Sequence, residues 1–213
     1  VIDCYLPRED VRDAFVSPLF GSISELPQGA VVGSSSLRRR AQLALRRPDL
    51  HLVEFRGNVQ TRLKKLEDGV AVATFLAMAG LSRLGMLDVA RGAVDPDEML
   101  PAVAQGCIGV ERRADDARSS AMLAAIADHD SALRMAAERA FLARLDGSCQ
   151  TPIAGLAVLR GDRLHLRGEI LRPDGSEVIA GEREGPARDG AAMGTDLANE
   201  LRARAPADFF DWG

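Results

Sequence analysis

Ala30-Val-Val-Gly-Ser-Ser-Ser-Leu-Arg-Arg-Arg40 is the stretch that decides the fold. Val31 and Val32 read as a short strand, and Gly33 to Ser36 as a turn rich in side chains that cap helices. Leu37 to about Arg47 then reads as a helix, which Pro48 stops. The same order follows again: His51 to Phe55 suits a strand, and Asn58 to Asp68 a helix ended by Gly69. Val70 to Leu76 is a continuous apolar run of the kind buried on both faces of a sheet. Strands alternating with helices predict an α/β lobe with a mixed, mostly parallel sheet.

Upstream of this core, Val1 to Leu6 reads as a short strand with no earlier strand to pair with, so the sequence is expected to open in mid-domain. Charged Pro7 to Asp13 follows it. Downstream, Pro101 to Glu111 reads as a strand leading back toward a neighbouring domain. The pattern changes after Ser131. Ala132 to Leu145 is an amphipathic helix with Gly147 beyond its end. Ile153–Leu159, Arg163–Leu171 and Glu177–Glu182 are strand-like, separated by the turn signals Gly161-Asp162 and Pro173-Asp-Gly-Ser176. Met193, Leu197 and Leu201 mark a closing helix. This second unit is expected to be a small α+β domain with a three-stranded antiparallel sheet.

The 213 residues are 46% hydrophobic, enough to bury one large core or two small ones. Charged residues interrupt every long apolar stretch, so no membrane span is expected, and residues 1–30 lack the layout of a signal peptide. Cys4, Cys107 and Cys149 lie far apart, which fits a reducing cytoplasm better than a disulfide framework. His51, His129 and His165 are equally scattered, and no metal is expected. The net charge is −4. Residues 36–65, however, hold nine basic and two acidic residues, a local +7 that leaves −11 elsewhere. A focused basic segment in an acidic chain points to an anionic ligand. Since 25 of the 27 basic residues are arginine, the arginine at any single position weighs less.

Three constellations could carry chemistry. In Gly33 to Arg40, a serine-rich turn presents backbone N–H groups at the positive end of a helix, and Arg38 to Arg40 gain most there if an anion sits at the helix start. An ordinary capped, solvated helix is the alternative. In Phe55-Arg-Gly-Asn-Val-Gln-Thr-Arg62, Arg56 lies at a second strand-to-helix junction, Gly57 allows close backbone approach, and Arg62 projects from the following helix. Arg83 either extends this polyanion pocket or is a plain surface arginine. In Asp146-Gly-Ser-Cys-Gln-Thr-Pro152, Cys149 occupies a polar loop with no histidine nearby. It is either a site of covalent chemistry or an incidental thiol. Cys4 and Cys107, with apolar neighbours, read as small buried hydrophobes.

Seven segments in order resemble porphobilinogen deaminase: Arg8-Glu-Asp-Val-Arg-Asp-Ala-Phe15, Gly33-Ser-Ser-Ser-Leu-Arg-Arg39, Arg56-Gly-Asn-Val-Gln-Thr-Arg-Leu63, Leu76-Ala-Met-Ala-Gly-Leu-Ser-Arg-Leu-Gly85, Leu100-Pro-Ala-Val-Ala-Gln-Gly106, Ala137-Glu-Arg-Ala140 and Gly147-Ser-Cys-Gln-Thr-Pro-Ile153. The resemblance implies a transferase of tetrapyrrole biosynthesis. Such an enzyme adds four porphobilinogen units to a dipyrromethane cofactor held by a thioether on the cysteine matching Cys149. Ammonia leaves at each addition, and hydrolysis frees hydroxymethylbilane. Each pyrrole carries an acetate and a propionate, so the growing chain is a polycarboxylate. By resemblance, Ser36, Arg38 and Arg39 hold cofactor carboxylates, with Gln105 near them. Arg56, Arg62 and Arg83 hold cofactor, substrate or growing chain.

The resemblance also implies three domains. Residues 1–11 and 101–125 would belong to the first, 12–100 to a second that resembles a type II periplasmic-binding-protein lobe, and 130–213 to the third. A cytoplasmic monomer is expected, acting on a small molecule and on neither nucleic acid nor membrane. Ser148, Ala104 and Val72 depart from the family, which often has glycine, glycine and an acidic residue there. The family's Lys-Asp-Val-Pro motif, whose aspartate guides proton movement at the pyrrole nitrogens, does not occur in these residues. No catalytic residue is therefore assigned in this chain, which is expected to be inactive alone. Two competing readings are a reversible polycarboxylate-binding module, which would not need Cys149, and a nucleic-acid binder using Leu37–Arg47. The acidic remainder and an aromatic content of 4% weigh against the latter.

Overall fold

The alternation around Ala30 builds a five-stranded sheet. In the computed structural model, which describes residues 1–147 and 151–210, the elements run in order as follows. Strands β1 (Ile2–Tyr5), β2 (Asp13–Val16) and β3 (Val31–Gly33) precede helix α1 (Leu37–Arg46) and strand β4 (His51–Val53). Helix α2 (Val59–Glu67), strand β5 (Ala73–Ala77), helix α3 (Met78–Arg83) and the short strands β6 (Gly92–Ala93) and β7 (Gly109–Glu111) come next. Helices α4 (Ala117–Ala124) and α5 (His129–Arg144) lead to strands β8 (Ile153–Arg160), β9 (Arg163–Leu171) and β10 (Val178–Pro186), and helix α6 (Gly190–Arg204) follows.

The main sheet has the order β4-β3-β5-β2-β6. β3 pairs in parallel with β4 and β5, while β2 runs antiparallel to β5 and β6. The sheet is thus mixed, with its parallel pairing confined to the repeated strand–helix units. Two cores cover its faces. Phe15, Val32, Leu43, Phe75 and Met99 build one, and Val16, Phe55, Leu66, Leu76 and Leu81 the other. The apolar run at Val70 begins pairing later than its composition suggested. Gly69 ends α2 and leaves Val70 exposed, and the strand starts at Ala73.

β1 does have a strand partner. It pairs antiparallel with β7, about a hundred residues later, in a two-stranded sheet. The segment from Pro101 is correspondingly less regular than a strand. It makes a turn, with Gln105 N–H donating to Ala102 O and Cys107 N–H to Ala104 O, before pairing at Gly109.

The C-terminal unit is the antiparallel meander β8-β9-β10, one face of which is covered by α5 and α6. Phe141, Leu164, Leu166, Ile170, Leu197 and Leu201 fill its core. Leu100, Ala154, Leu156 and Val11 form a smaller apolar seam between the two units. Helices α5 and α6 pack closely at Gly194. A methyl group there would stand 2.2 Å from the Ala137 carbonyl oxygen and 2.9 Å from the Phe141 nitrogen. We expect Gly194→Ala to cost about 2 kcal/mol, because backbone must move to admit it. Gly80→Ala, in α3 where the added methyl meets nothing within 4 Å, should instead add about 0.5 kcal/mol of stability. Urea unfolding midpoints of the two variants check this. Equal midpoints would mean that α5 and α6 do not meet through Gly194.

Candidate functional site

Helix α1 starts at Ser36, whose side chain accepts a hydrogen bond from the Arg39 backbone N–H at 3.4 Å. Two cations in the first turn, Arg38 and Arg39, face the positive end of the helix dipole and need an anion nearby. That anion is Asp13, the first residue of β2, which is fully buried. Arg38 donates to it from Nη1 at 2.8 Å and from Nη2 at 3.2 Å. Arg39 donates from Nε at 3.0 Å and from Nη2 at 2.7 Å. The Gln105 amide adds a fifth donor at 3.0 Å. Burial pushes the Asp13 carboxyl up, but the charges and hydrogen bonds of Arg39 and Arg38 prevail and hold it at about 2, below its ordinary 3.8. The guanidinium groups are anchored on their other sides too. Arg38 reaches the Leu100 carbonyl and Arg39 that of Phe75.

A second buried ion pair holds the turn that carries Gln105. Arg8 donates from both Nη atoms to Glu138 on α5, at 2.6 and 3.1 Å, and from Nε to the Gln105 carbonyl. Glu138 also accepts from the backbone N–H groups of Ala104 and Ala157. It therefore joins the N-terminal segment, the turn and β8 at one fully buried carboxylate. Ala104 adopts a φ of +63°. The left-handed region explains why glycine suits this position; an alanine costs about 1 kcal/mol there. Gly57 stands at φ +127°, and an added methyl would meet Thr61 at 2.7 Å or less. Its role is thus the turn into α2, where Asn58 caps Thr61 N–H at 2.8 Å.

These anchored groups line a cleft of about 410 Å³. Ser35, Ser36, Arg38, Arg39 and Arg62 come from one unit, Ala102, Val103 and Gln105 from the turn, and Leu142, Thr151 and Ile153 from the other unit. Burial lowers the Arg62 guanidinium, and the charge of Arg39 lowers it further, as expected of two cations that share a cavity. The Nε of Arg38 is buried without a partner among the described residues. The cleft thus joins a cationic wall, a helix N-terminus and an apolar wall, a combination that fits carboxylate groups on a largely apolar body.

Ser36, Arg38, Arg39, Arg62 and Gln105 therefore converge as the sequence suggested. Arg56 and Arg83 stand apart. The Arg56 side chain is 81% exposed against Glu54, and Arg83 is exposed and donates to the Gly106 carbonyl at 3.1 Å. Cys149 lies outside the described residues, as does Ser148. Thr151, two positions after Cys149, lines the cleft. Cys4 is buried, with its Sγ 3.5 Å from the Leu123 carbonyl. Cys107 is half-buried, and burial raises its thiol, which disfavours the reactive thiolate. Val72 packs against the Phe15–Phe75 core, so its apolar side chain serves the sheet. No cluster of His, Cys, Asp or Glu suited to a metal occurs among the described residues, and none of their helices is long and apolar enough to cross a membrane.

Sequence reasoning missed Asp13, Arg8 and Glu138. All three lie inside segments that carry the resemblance, but their partners are 25 to 130 residues away, beyond any periodic signal.

The family model "Porphobilinogen deaminase, dipyromethane cofactor binding domain" matches residues 1–121, and "Porphobilinogen deaminase, C-terminal domain" matches residues 132–203. The chain is 88% identical over 212 residues to the porphobilinogen deaminase of Paracoccus denitrificans (strain Pd 1222), covering 100% of this chain and 68% of that one. It is 52% identical over 209 residues to the porphobilinogen deaminases of Nitrobacter hamburgensis and Nitrobacter winogradskyi, covering 98% of this chain and 66% of each. It thus spans about two thirds of the length of the relatives it matches.

The lowered Asp13 carboxyl predicts an acid response. Its folded value lies below its unfolded one, so its stabilisation is complete above about pH 4 and disappears as pH falls toward 2. Between pH 4 and pH 2, Asp13→Asn should lose about 2 kcal/mol less stability than the parent chain. Urea titrations at several pH values measure this difference, and parallel curves would show that Asp13 is not held by the arginines.

Proposed function

This chain belongs to the porphobilinogen deaminase family, and on that premise we propose that it is the cofactor-holding part of an enzyme that polymerises porphobilinogen into hydroxymethylbilane. One observation carries the reading. Four residues that the resemblance assigns to the cofactor or the growing chain, Ser36, Arg38, Arg39 and Arg62, and Gln105, which it sets near them, line one cleft with Thr151, a close sequence neighbour of Cys149. A dipyrromethane with acetate and propionate arms fits such a wall, where forked guanidinium donors and helix N–H groups meet apolar Val103, Leu142 and Ile153. When bound, this cofactor supplies the pyrrole end to which porphobilinogen units are added.

In the proposal the chain's own residues do four things. Cys149 anchors the cofactor covalently and is not a turnover nucleophile. Arg38 and Arg39 hold cofactor carboxylates at the start of α1, with Ser36 and Gln105 beside them. Arg62 neutralises carboxylates of the cofactor or of the growing chain across the same cleft. Arg56 and Arg83 meet incoming substrate or growing product from the surface positions they occupy. Residues 12–100 act as the α/β lobe and 130–213 as the anchoring domain, with 1–11 and 101–125 belonging to a further domain. The acid–base aspartate of the Lys-Asp-Val-Pro motif is not among these residues, so we propose that the 213 residues alone do not turn over.

Two experiments test this. Intact-protein and peptide mass spectrometry, on a polypeptide of the relatives' full length, should find a dipyrromethane adduct on the peptide containing Cys149. Cys149→Ser should carry none and be inactive. An adduct that maps to Cys4 or Cys107 would refute the anchor, and activity without any adduct would refute the function. Assayed with porphobilinogen beside such a full-length chain, the 213 residues should fall short by at least the ~10²–10⁴-fold that positioned proton transfer contributes. Comparable turnover would place the acid–base group within them.

A further inference from the structure

We infer that Asp13 is a positioning residue for the cleft: it fixes where the guanidinium groups of Arg38 and Arg39 stand, and so governs carboxylate binding through geometry more than through charge. This role rests on reading the cleft as a polycarboxylate site.

A buried carboxylate between two buried guanidinium groups is a poor device for stability alone. Desolvating three charges cancels most of their attraction, and apolar residues of similar volume often hold a core as well. The rest of β2 shows that apolar residues suit this strand, since Ala14, Phe15 and Val16 are all buried. An apolar residue at position 13 could not, however, hold four N–H groups of two guanidiniums. A guanidinium is planar with its donors in fixed directions, so engaging Nη1 and Nη2 of Arg38, and Nε and Nη2 of Arg39, sets the plane of each. The bonds to Leu100 O and Phe75 O fix the remaining rotation. Two long side chains are thereby ordered before a ligand arrives, which removes that entropic cost from binding. The Gln105 amide bridges Asp13 Oδ1 and the Val11 carbonyl, so the turn across the cleft shares the same reference point.

Positioning and simple charge predict opposite signs. Losing the Asp13 charge raises the sum over Asp13, Arg38 and Arg39 from +1 to +2, so charge alone would tighten carboxylate binding. The test uses a polypeptide of the relatives' full length with Cys149→Ser, so that binding is reversible. Its probe is a free dipyrromethane bearing two acetate and two propionate groups, titrated by calorimetry. We expect Asp13→Asn to bind it at least 10-fold more weakly; equal or tighter binding would overturn the inference. Because Asp13→Asn leaves two buried cations without a counter-ion, a second comparison protects against misfolding. Arg38→Gln is measured alone and together with Asp13→Asn, the double variant restoring the sum to +1. Positioning expects the double variant to bind at least 10-fold more weakly than Arg38→Gln, because Arg39 has lost its anchor. Equal or tighter binding by the double variant sinks the inference. The parent chain with Cys149 intact is weighed in parallel. An adduct there, with unchanged binding in the Asp13 variants, rejects only the positioning role. No adduct, and no binding of the probe to the Cys149→Ser chain, rejects the reading of the cleft and this inference with it.

Discussion

A single carboxylate inside the main sheet, that of Asp13, meets groups from two separate parts of the chain and reaches others through them. It takes hydrogen bonds from α1 through Arg38 and Arg39 and from the turn after Leu100 through Gln105. Through those arginines it is tied to the carbonyls of Leu100 and of Phe75 on β5. Helix α1 begins with two cations at the end of its dipole where cations are unfavourable. Without a counter-ion beneath them, that first turn would either fray or swing its arginines into solvent. The wall of the cleft is therefore a consequence of where β2 lies in the sheet, between β5 and β6. Insertion of β2 antiparallel beside β5 brings its first residue under the start of α1.

The turn from Ala102 to Gly106 depends on the other buried pair. Its backbone is held by Glu138 at Ala104 N–H, by Arg8 at Gln105 O, and by Glu9 N–H and Arg83 at Gly106 O. Gly106 stands at φ +83°, and an added methyl there would lie 2.7 Å from the Glu9 carbonyl oxygen. The two chain crossings between units, near residues 8–12 and 101–106, are thus packed backbone to backbone. Glu138 links both crossings to α5 and β8. The C-terminal wall of the cleft, with Leu142 and Ile153, follows from the ends of those same two elements.

Much of this was legible in the sequence because it is written locally. Pro48, Gly69, Ser36 and Asn58 act within a few residues of themselves, so the ends of α1 and α2 could be read from their caps and stops. The meander announced itself through its turns. The strand β2 was not read, because Asp13 and its charged forerunners resemble a surface segment. Its burial depends on two arginines 25 and 26 residues further on. The same blindness hid the partner of β1, which comes from beyond residue 108. Helix α4, capped by Asp116, carries no buried residue and so no stripe by which a helix is recognised.

The arginines show how far a local motif can mislead as well as inform. Read alone, Arg38 and Arg39 at a helix start ask for an anion, and an external ligand is the natural candidate. The structure supplies the anion from within, yet both residues still line the cleft. A guanidinium has five N–H donors, and a carboxylate on one edge engages two of them. On Arg39 the internal bonds leave one hydrogen of each Nη for a ligand, whereas the Nη hydrogens of Arg38 go to Asp13, the Leu100 carbonyl and the Gln105 side chain, and its buried Nε has no partner among the described residues. A lysine, which offers a point charge on a flexible stem, could not divide itself in this way. The requirement at positions 38 and 39 is thus specifically for arginine, even in a chain whose basic residues are almost all arginine.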